Sequence, residues 1–460
     1  MVDFDVVVIG GGIAGLGCAS LLSSEGLRVA VFEKMPYVGG RATTVDFRGY
    51  RLDVGLHALS LGDRGSLARI LSRVGKEVPL AGWTEGVEVW TGDQWRDITE
   101  FRSFQPGHEV GFRKVVKEIA RLSYEDVDGM DDVSLREWLE SVTEDEDVHE
   151  FFRYIGMLAT TLPDWSETSA SEVIWVMKRN LEEKGLLLTA AIPRGGCISL
   201  VKPMAEKVRE EGGVVHVGAT VEEVIVKEGE VKGVSIQETM EGVPQALEGM
   251  LVGEVKTVEA PIVVCAVPLW SLEDIVPFDE LPSWFTRRVR SIRGETTAGV
   301  GYTLAVDGEL WSDRKFRSSL SLPRTRLPFQ CYTVSNFDRD AAPRGKSLIT
   351  LGCPADPELA LDKRKARAKL EDLWDDLRQM FPDFEERLEW VLQASYVGID
   401  GLARKPGLVG RFKPDVKAPE VKGLYFAGDT YRGRGIGMEA AADSALRCAT
   451  RILSDLGIRA

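Results

Sequence analysis

One glycine spacing near the start of the chain constrains the fold more than any other feature. Residues 6–9 read Val-Val-Val-Ile, the pattern of a strand buried on both faces of a parallel sheet. Gly10-x-Gly12-x-x-Gly15 follows at once, and a helical apolar pattern begins with Ile13, Ala14 and Leu16. A second apolar run, residues 28–32, ends at Glu33 and Lys34. Strand, turn, helix and strand in this order are the context in which such glycines hold a dinucleotide. Gly10 permits the tight turn, Gly12 lets backbone approach a pyrophosphate, and Gly15 allows helix to pack closely on strand. Ile13 and Ala14 open a helix whose free N–H groups and dipole favour phosphate. Glu33, with Lys34 behind it, is placed to accept both hydroxyls of an adenosine ribose. A carboxylate there disfavours a 2′-phosphate, so NADP is not expected.

The other end carries a matching device. Residues 424–427 read as a buried strand, and Gly428-Asp429 follows. Gly435-Ile436-Gly437-Met438-Glu439 then opens a helix with Ala441, Ala445, Ala449 and Ile452 on its apolar side. One ligand long enough to need both ends is FAD. Between them, Val38-Gly39-Gly40-Arg41 and Asp53-Val54-Gly55-Leu56-His57 extend the first unit beyond what a simple NAD domain needs. Gly39 and Gly40 free the backbone near a pyrophosphate. Arg41 is a planar cation suited to phosphate oxygens or the flavin edge. Gly55 leaves room for a flat ring.

These motifs resemble the flavoprotein superfamily of amine oxidases, protoporphyrinogen oxidase, phytoene desaturases and carotenoid isomerases. The Asp53-Val54-Gly55-Leu56-His57 form is most similar to the phytoene-desaturase-like branch. The likeness covers both ends and the middle cofactor strands. It implies an α/β fold (α+β overall): a discontinuous Rossmann-like FAD-binding domain of the glutathione-reductase-like type, with a substrate domain of mixed sheet and helices. The layout expected is 1–75, 190–268 and 395–460 for FAD, and 76–189 and 269–394 for substrate. The resemblance further implies non-covalent FAD, with Gly55 and Leu56 along the isoalloxazine and Val221 holding adenine through its backbone. Gly428 and Asp429 then meet ribityl and phosphate, and Gly437 and Met438 open a helix aimed at the flavin. No cysteine falls between Cys353 and Gly428 to attach the ring.

A flavin there implies hydride transfer from a small apolar, isoprenoid-like substrate to N5, a dehydrogenase or desaturase reaction. His57 is the candidate general base, because it follows the loop that passes the ring and has a suitable pKa range. The alternatives are an amine oxidase, a flavin-dependent isomerase without net redox change, and a non-catalytic protein like the Rab GDP-dissociation inhibitors. Monoamine oxidases place a tyrosine where Gly437 stands here, which weighs against amines. The intact Gly10, Gly12, Gly15, Glu33 and Asp429 weigh against a non-catalytic role. Nothing names the electron acceptor.

At 460 residues, two domains are expected. The net charge of −15 argues against nucleic acid and against broad adhesion to anionic lipid. An apolar strand beginning at Phe4 leaves no room for a signal peptide, and no apolar run approaches the roughly 20 residues of a membrane span. A cytoplasmic, at most membrane-peripheral, protein is expected. The six scattered cysteines read as reduced, and the four histidines show no metal spacing, so no metal is expected. Residues 284–290, Trp-Phe-Thr-Arg-Arg-Val-Arg, suit either a membrane surface or a plain surface helix, and the short apolar part favours the latter. The aromatics Phe151, Phe152, Tyr154, Trp165, Trp175, Trp284, Phe285 and Tyr332 are candidates for a cavity wall or for core. Residues 357–380 read as one charged helix, 85–95 as a strand, and 241–253 as an inserted loop.

Overall fold

The apolar strand that begins the sequence lies at the centre of a parallel sheet. In the computed structural model, which describes residues 3–55, 57–185, 189–238 and 254–458, Val6–Ile9 is flanked by Val29–Glu33 and by Ile262–Cys265. Val214–Val217 and Leu424–Phe426 complete the two edges. Strand alternation sends Val6 and Val8 to one face and Val7 and Ile9 to the other, and both faces are covered. The helices Ile13–Ser24, Ile198–Glu210 and Met438–Asp455 pack on the first face. The second face meets the antiparallel strands Ala219–Lys227 and Glu230–Glu238 of a three-stranded sheet. It also meets the helix Ser283–Ile292.

That helix corrects part of the expected layout. Phe285, Val289 and Ile292, with Leu269, Leu272 and Leu281, belong to the core under the dinucleotide sheet, although they lie in the segment assigned to substrate. Phe285 stacks on Phe426, so the helix spends its apolar face inside the protein and leaves Trp284 exposed. Arg290 and Arg293 both pair with Glu273. Likewise the boundary at 395 falls inside the strand Leu388–Leu402, which lies wholly in the second large sheet.

That sheet has seven strands in the order Leu388–Leu402, Thr296–Asp307, Lys346–Ala355, Phe329–Thr333, Lys315–Ser319, Gly86–Trp90, Trp95–Asp97. The stretch read as one strand over 85–95 is a hairpin, because Thr91 N–H and the carbonyl of Gln94 close a turn. The charged helix expected over 357–380 is broken into Pro357–Leu361 and Lys363–Met380. Asp362 causes the break: its carboxylate accepts from the N–H groups of Arg364 and Lys365, an N-cap that requires extended backbone at that residue. A helical cluster, Val110–Arg121, Leu135–Val142, Glu146–Thr160 and Ala170–Lys184, stands beside the sheet. Ser134 caps its second helix in a capping box with Glu137. Residues 241–253 and Leu56 lie outside the described residues. Among the described residues no helix is long and apolar enough to cross a membrane.

Candidate functional site

The N-terminal turn has the geometry its glycines promised. Gly10 sits at φ +106°, where a Cβ would stand 2.9 Å from the carbonyl oxygen of Ala266. Gly12 caps the helix Ile13–Ser24 with no side chain on its N–H groups, so the buried Ile13 and Ala14 open a bare N-terminus. The second glycine loop runs alongside: Gly39 N–H donates to Gly11 at 2.8 Å, and Gly40 lies against Gly12. Glu33 is buried and accepts from Gly11 N–H at 2.7 Å and Met35 N–H at 2.8 Å. Its carboxylate is therefore fixed in direction, with lone pairs left for a diol. Lys34 is exposed, and Val221 is buried in the strand beyond Val214–Val217.

At the C-terminal turn the two ends of the chain meet. Arg41 Nη2 pairs with Asp429 Oδ1 at 2.7 Å, and Arg41 Nη1 donates to the carbonyls of Gly398 and Ile399. The sequence reading gave these two side chains separate contacts with the cofactor; the structure joins them. Burial, the largest single effect, works to raise the Asp429 pKa, but the charge and hydrogen bond of Arg41 with the charges of Lys413 and Arg404 together hold the carboxyl below its usual range. Gly428 N–H donates to Ser444 Oγ, tying this loop to the last helix. Gly437, at φ +53°, caps the helix starting at Met438 without a side-chain hydrogen bond. The bare N-terminus after Gly12, the fixed Glu33, and the bare N-terminus after Gly437 suit the adenylate, pyrophosphate and flavin parts of FAD. When bound, flavin supplies a two-electron acceptor.

The sequence did not reveal the buried ions around this end. Arg434 lies between glycines 433 and 435 and contacts Asp128 at 2.6 Å, Asp131 at 2.7 Å and Glu172 at 2.9 Å. Glu172 also faces Arg404 at 3.6 Å, and Arg404 faces Asp400 at 3.6 Å. Arg404, Glu172 and Asp131 are almost fully buried. Lys413 donates to the carbonyl of Asp429 at 2.9 Å, and burial lowers its pKa. A cation flanked by two glycines just before the helix Met438–Asp455 was the one signal available. Its partners are hundreds of residues away.

Glu439 is a further buried acid. Burial pushes it up to about 7, against the opposing effect of the N–H groups of Leu67 and Ser66. Leu67 N–H donates to Oε2 at 3.3 Å, and Oε1 is buried without a hydrogen-bond partner among the described residues. A Cβ on Gly65 would collide with this carboxyl, so the glycine makes room for it. The folded pKa stands above the unfolded value of 4.5. The folded chain thus holds a proton the unfolded chain has lost. The contribution is intact below pH 4.5 and falls as pH rises to about 7, by roughly 3 kcal/mol in all. Glu439→Gln is expected to flatten this slope, with the variant gaining on the wild type at pH 8 relative to pH 4.5. Melting temperatures across that range check it; an unchanged slope would refute the assignment.

A partly open cleft lies on the seven-stranded sheet, with about 570 Å³ of empty space that includes open solvent at its mouth. Ala298, Val300, Gly352, Pro354, Ala394 and Ile399 form much of its wall, and Gly55, Thr161 and Asp400 also line it. The glycines here let strands lie close, since a Cβ on Gly299 would stand 2.8 Å from the carbonyl oxygen of Cys353. None of the eight aromatics named from the sequence lines it. Phe151, Phe152 and Tyr154 are in the helical core, with Trp165 and Trp175 packed against it. Tyr332 stacks on Phe316.

His57 is half-buried with its ring beside Gly55: a Cβ on that glycine would be 3.2 Å from His57 Cε1. Its backbone carbonyl accepts from Tyr332 Oη at 2.9 Å, and Nδ1 is buried without a hydrogen-bond partner among the described residues. The structure also gathers what the spacing of the histidines did not predict. Ligand atoms of Asp53, His57 and Cys197 lie within 4.8 Å of one another, an arrangement able to hold a metal ion. Here Asp53 is already engaged by the Cys197 amide at 2.9 Å, its thiol at 3.3 Å, and Thr44 Oγ1 at 2.5 Å. Burial, with Asp53 alongside, pushes the Cys197 thiol up, so it stays a donor. All six cysteines are free and buried.

Comparison with known proteins agrees with this geometry. An uncharacterized protein of Methanocaldococcus jannaschii, MJ1488, is 29% identical over 50% of this chain, and the match spans only 53% of that protein. A zeta-carotene-forming phytoene desaturase of Myxococcus xanthus is 24% identical over 94% of this chain and 90% of its own. The crystal structure of an oxidoreductase from Methanosarcina mazei superposes with a TM-score of 0.77 at 24% identity, covering 96% of this chain and 98% of that one. The family model for flavin-containing amine oxidoreductases matches residues 13–453. With the bare N-termini at Gly12 and Gly437 placed for one extended cofactor, the chain belongs to the flavin-containing amine oxidoreductase family and is an FAD-dependent oxidoreductase.

Proposed function

We propose that this enzyme dehydrogenates a carbon–carbon bond of an apolar, isoprenoid-like substrate, in the manner of a phytoene desaturase. The observation that carries the reading is the cavity, whose wall is built largely from small and aliphatic residues beside the Gly55 loop. Such a wall holds a hydrocarbon by excluded water and offers it few polar partners. The likeness to the Myxococcus xanthus desaturase over most of both chains supports the same substrate class. Glycine at 437 supports it too, because the position carries no aromatic wall for an amine.

His57 is assigned the proton. Its free Nδ1 has no protein partner among the described residues, and its backbone is tied through Tyr332. Anaerobic mixing with C15–C40 isoprenoid polyenes is expected to bleach the flavin absorbance, whereas putrescine and benzylamine leave it unchanged. His57→Ala should slow the bleaching about 100-fold or more at unchanged flavin content. Bleaching by the amines alone would replace this reading with amine oxidation.

A further inference from the structure

We propose that Asp400 is the specificity determinant of the cavity and that its Oδ1 receives a hydroxyl group on an otherwise apolar substrate. The inference rests on the apolar reading of this cavity and refines it. Asp400 is the one carboxylate among the residues lining that space. It sits near the end of the strand Leu388–Leu402, whose backbone at Gly398 and Ile399 is held by Arg41. Its own N–H donates to Thr297 Oγ1 at 2.8 Å. Oδ2 accepts from Thr161 Oγ1 at 2.9 Å and faces Arg404 at 3.6 Å. Oδ1 is 2.9 Å from where a Cβ on Gly437 would stand, and it accepts no hydrogen bond among the described residues. The side chain retains 17% exposure, so this oxygen has lone pairs to spare in a cavity that holds no other charged side chain among its lining residues.

The surroundings decide the chemistry of the guest. A carboxylate facing plain hydrocarbon would lose water without replacement, which disfavours a substrate that is apolar throughout. A carboxylate or phosphate on the guest would be repelled by Asp400. An ammonium would be attracted by Asp400 but opposed by the nearly fully buried guanidinium of Arg404, which already offsets this charge. A neutral hydroxyl donates one hydrogen bond to Oδ1 and brings no charge. Sequence could not expose this role, because Asp400, Thr161 and Arg404 come together only through tertiary contacts.

The test uses the purified FAD-loaded enzyme and three probes of one size: farnesol, farnesylamine and the hydrocarbon farnesene. Binding is read by calorimetry, which does not depend on turnover, and flavin content is measured separately. Farnesol is expected to bind about 10- to 100-fold more tightly than farnesene. Asp400→Ala should abolish that preference at unchanged flavin content, and Thr161→Val, a milder change, should weaken it. Equal binding of farnesol and farnesene to the wild type, or no binding of any probe, would overturn the proposal. So would tighter binding of farnesylamine. If Asp400→Asn lowers flavin content and leaves the farnesol preference intact, Asp400 serves the cofactor and the proposal fails. Failure of the FAD assignment itself would look different: the wild type would take up no flavin, whatever the probes do.

Discussion

Gly15→Ala is expected to yield protein that purifies with little or no flavin. A Cβ at this position collides with the carbonyl oxygen of Gly10 and lies 3.2 Å from Ala266 Cβ. Neither neighbour can step aside. Gly10 is fixed by its N–H bond to Phe32, and Ala266 N–H is bonded to Ile9. The helix Ile13–Ser24 must therefore lift off the sheet, which moves its bare N-terminus away from the pyrophosphate. Overpacking against backbone belongs at the upper end of such costs, about 3 kcal/mol. An FAD affinity lowered about 100-fold or more goes with a displacement of that cost. The ratio of flavin absorbance to protein, with denaturant unfolding alongside, checks both. Full flavin content in a protein of unchanged stability would refute the packing argument.

Arg434→Met is expected to cost about 3–5 kcal/mol of folding stability. The guanidinium is the shared partner of Asp131 and Glu172, both buried, and of the more exposed Asp128. Methionine fills much of the space but leaves two buried carboxylates facing each other across it. Neutralising them on the same background, with Asp131→Asn and Glu172→Gln, should recover most of the loss. The comparison separates an uncompensated charge from a lost contact. Urea titration of the three proteins is the measurement. A loss below about 1 kcal/mol in the single variant would mean the cluster is open to water.

Most of the dinucleotide half was legible in the sequence because its determinants are local. Gly10, Gly12 and Gly15 act within one turn, and Glu33 lies one strand away, so spacing alone conveys their geometry. Arg41 and Asp429 were each noticed, but their pairing spans 388 positions and only the fold reveals it. The same holds for Arg434 with Asp128 and for Arg404 with Glu172. The aromatics named from the sequence do not line the cavity; Tyr302 and Tyr396 do, beside glycines and alanines that leave space, and absence of side chain has no sequence signature of its own. Pro357 and Met380 bounded a real helical region. The break at Asp362 turned on whether its carboxylate would cap the next helix or point to solvent, which composition does not decide.

The arrangement of the parallel sheet has a consequence for how the protein is born. Val6–Ile9 leaves the ribosome well before one of its neighbours, Ile262–Cys265, and the strand beyond that, Leu424–Phe426, follows later still. Throughout that interval the edge of Val6–Ile9 that pairs with Ile262–Cys265 has no mate. The central sheet cannot close until the strand Leu424–Phe426 has been made, and such non-local pairing is slow to form.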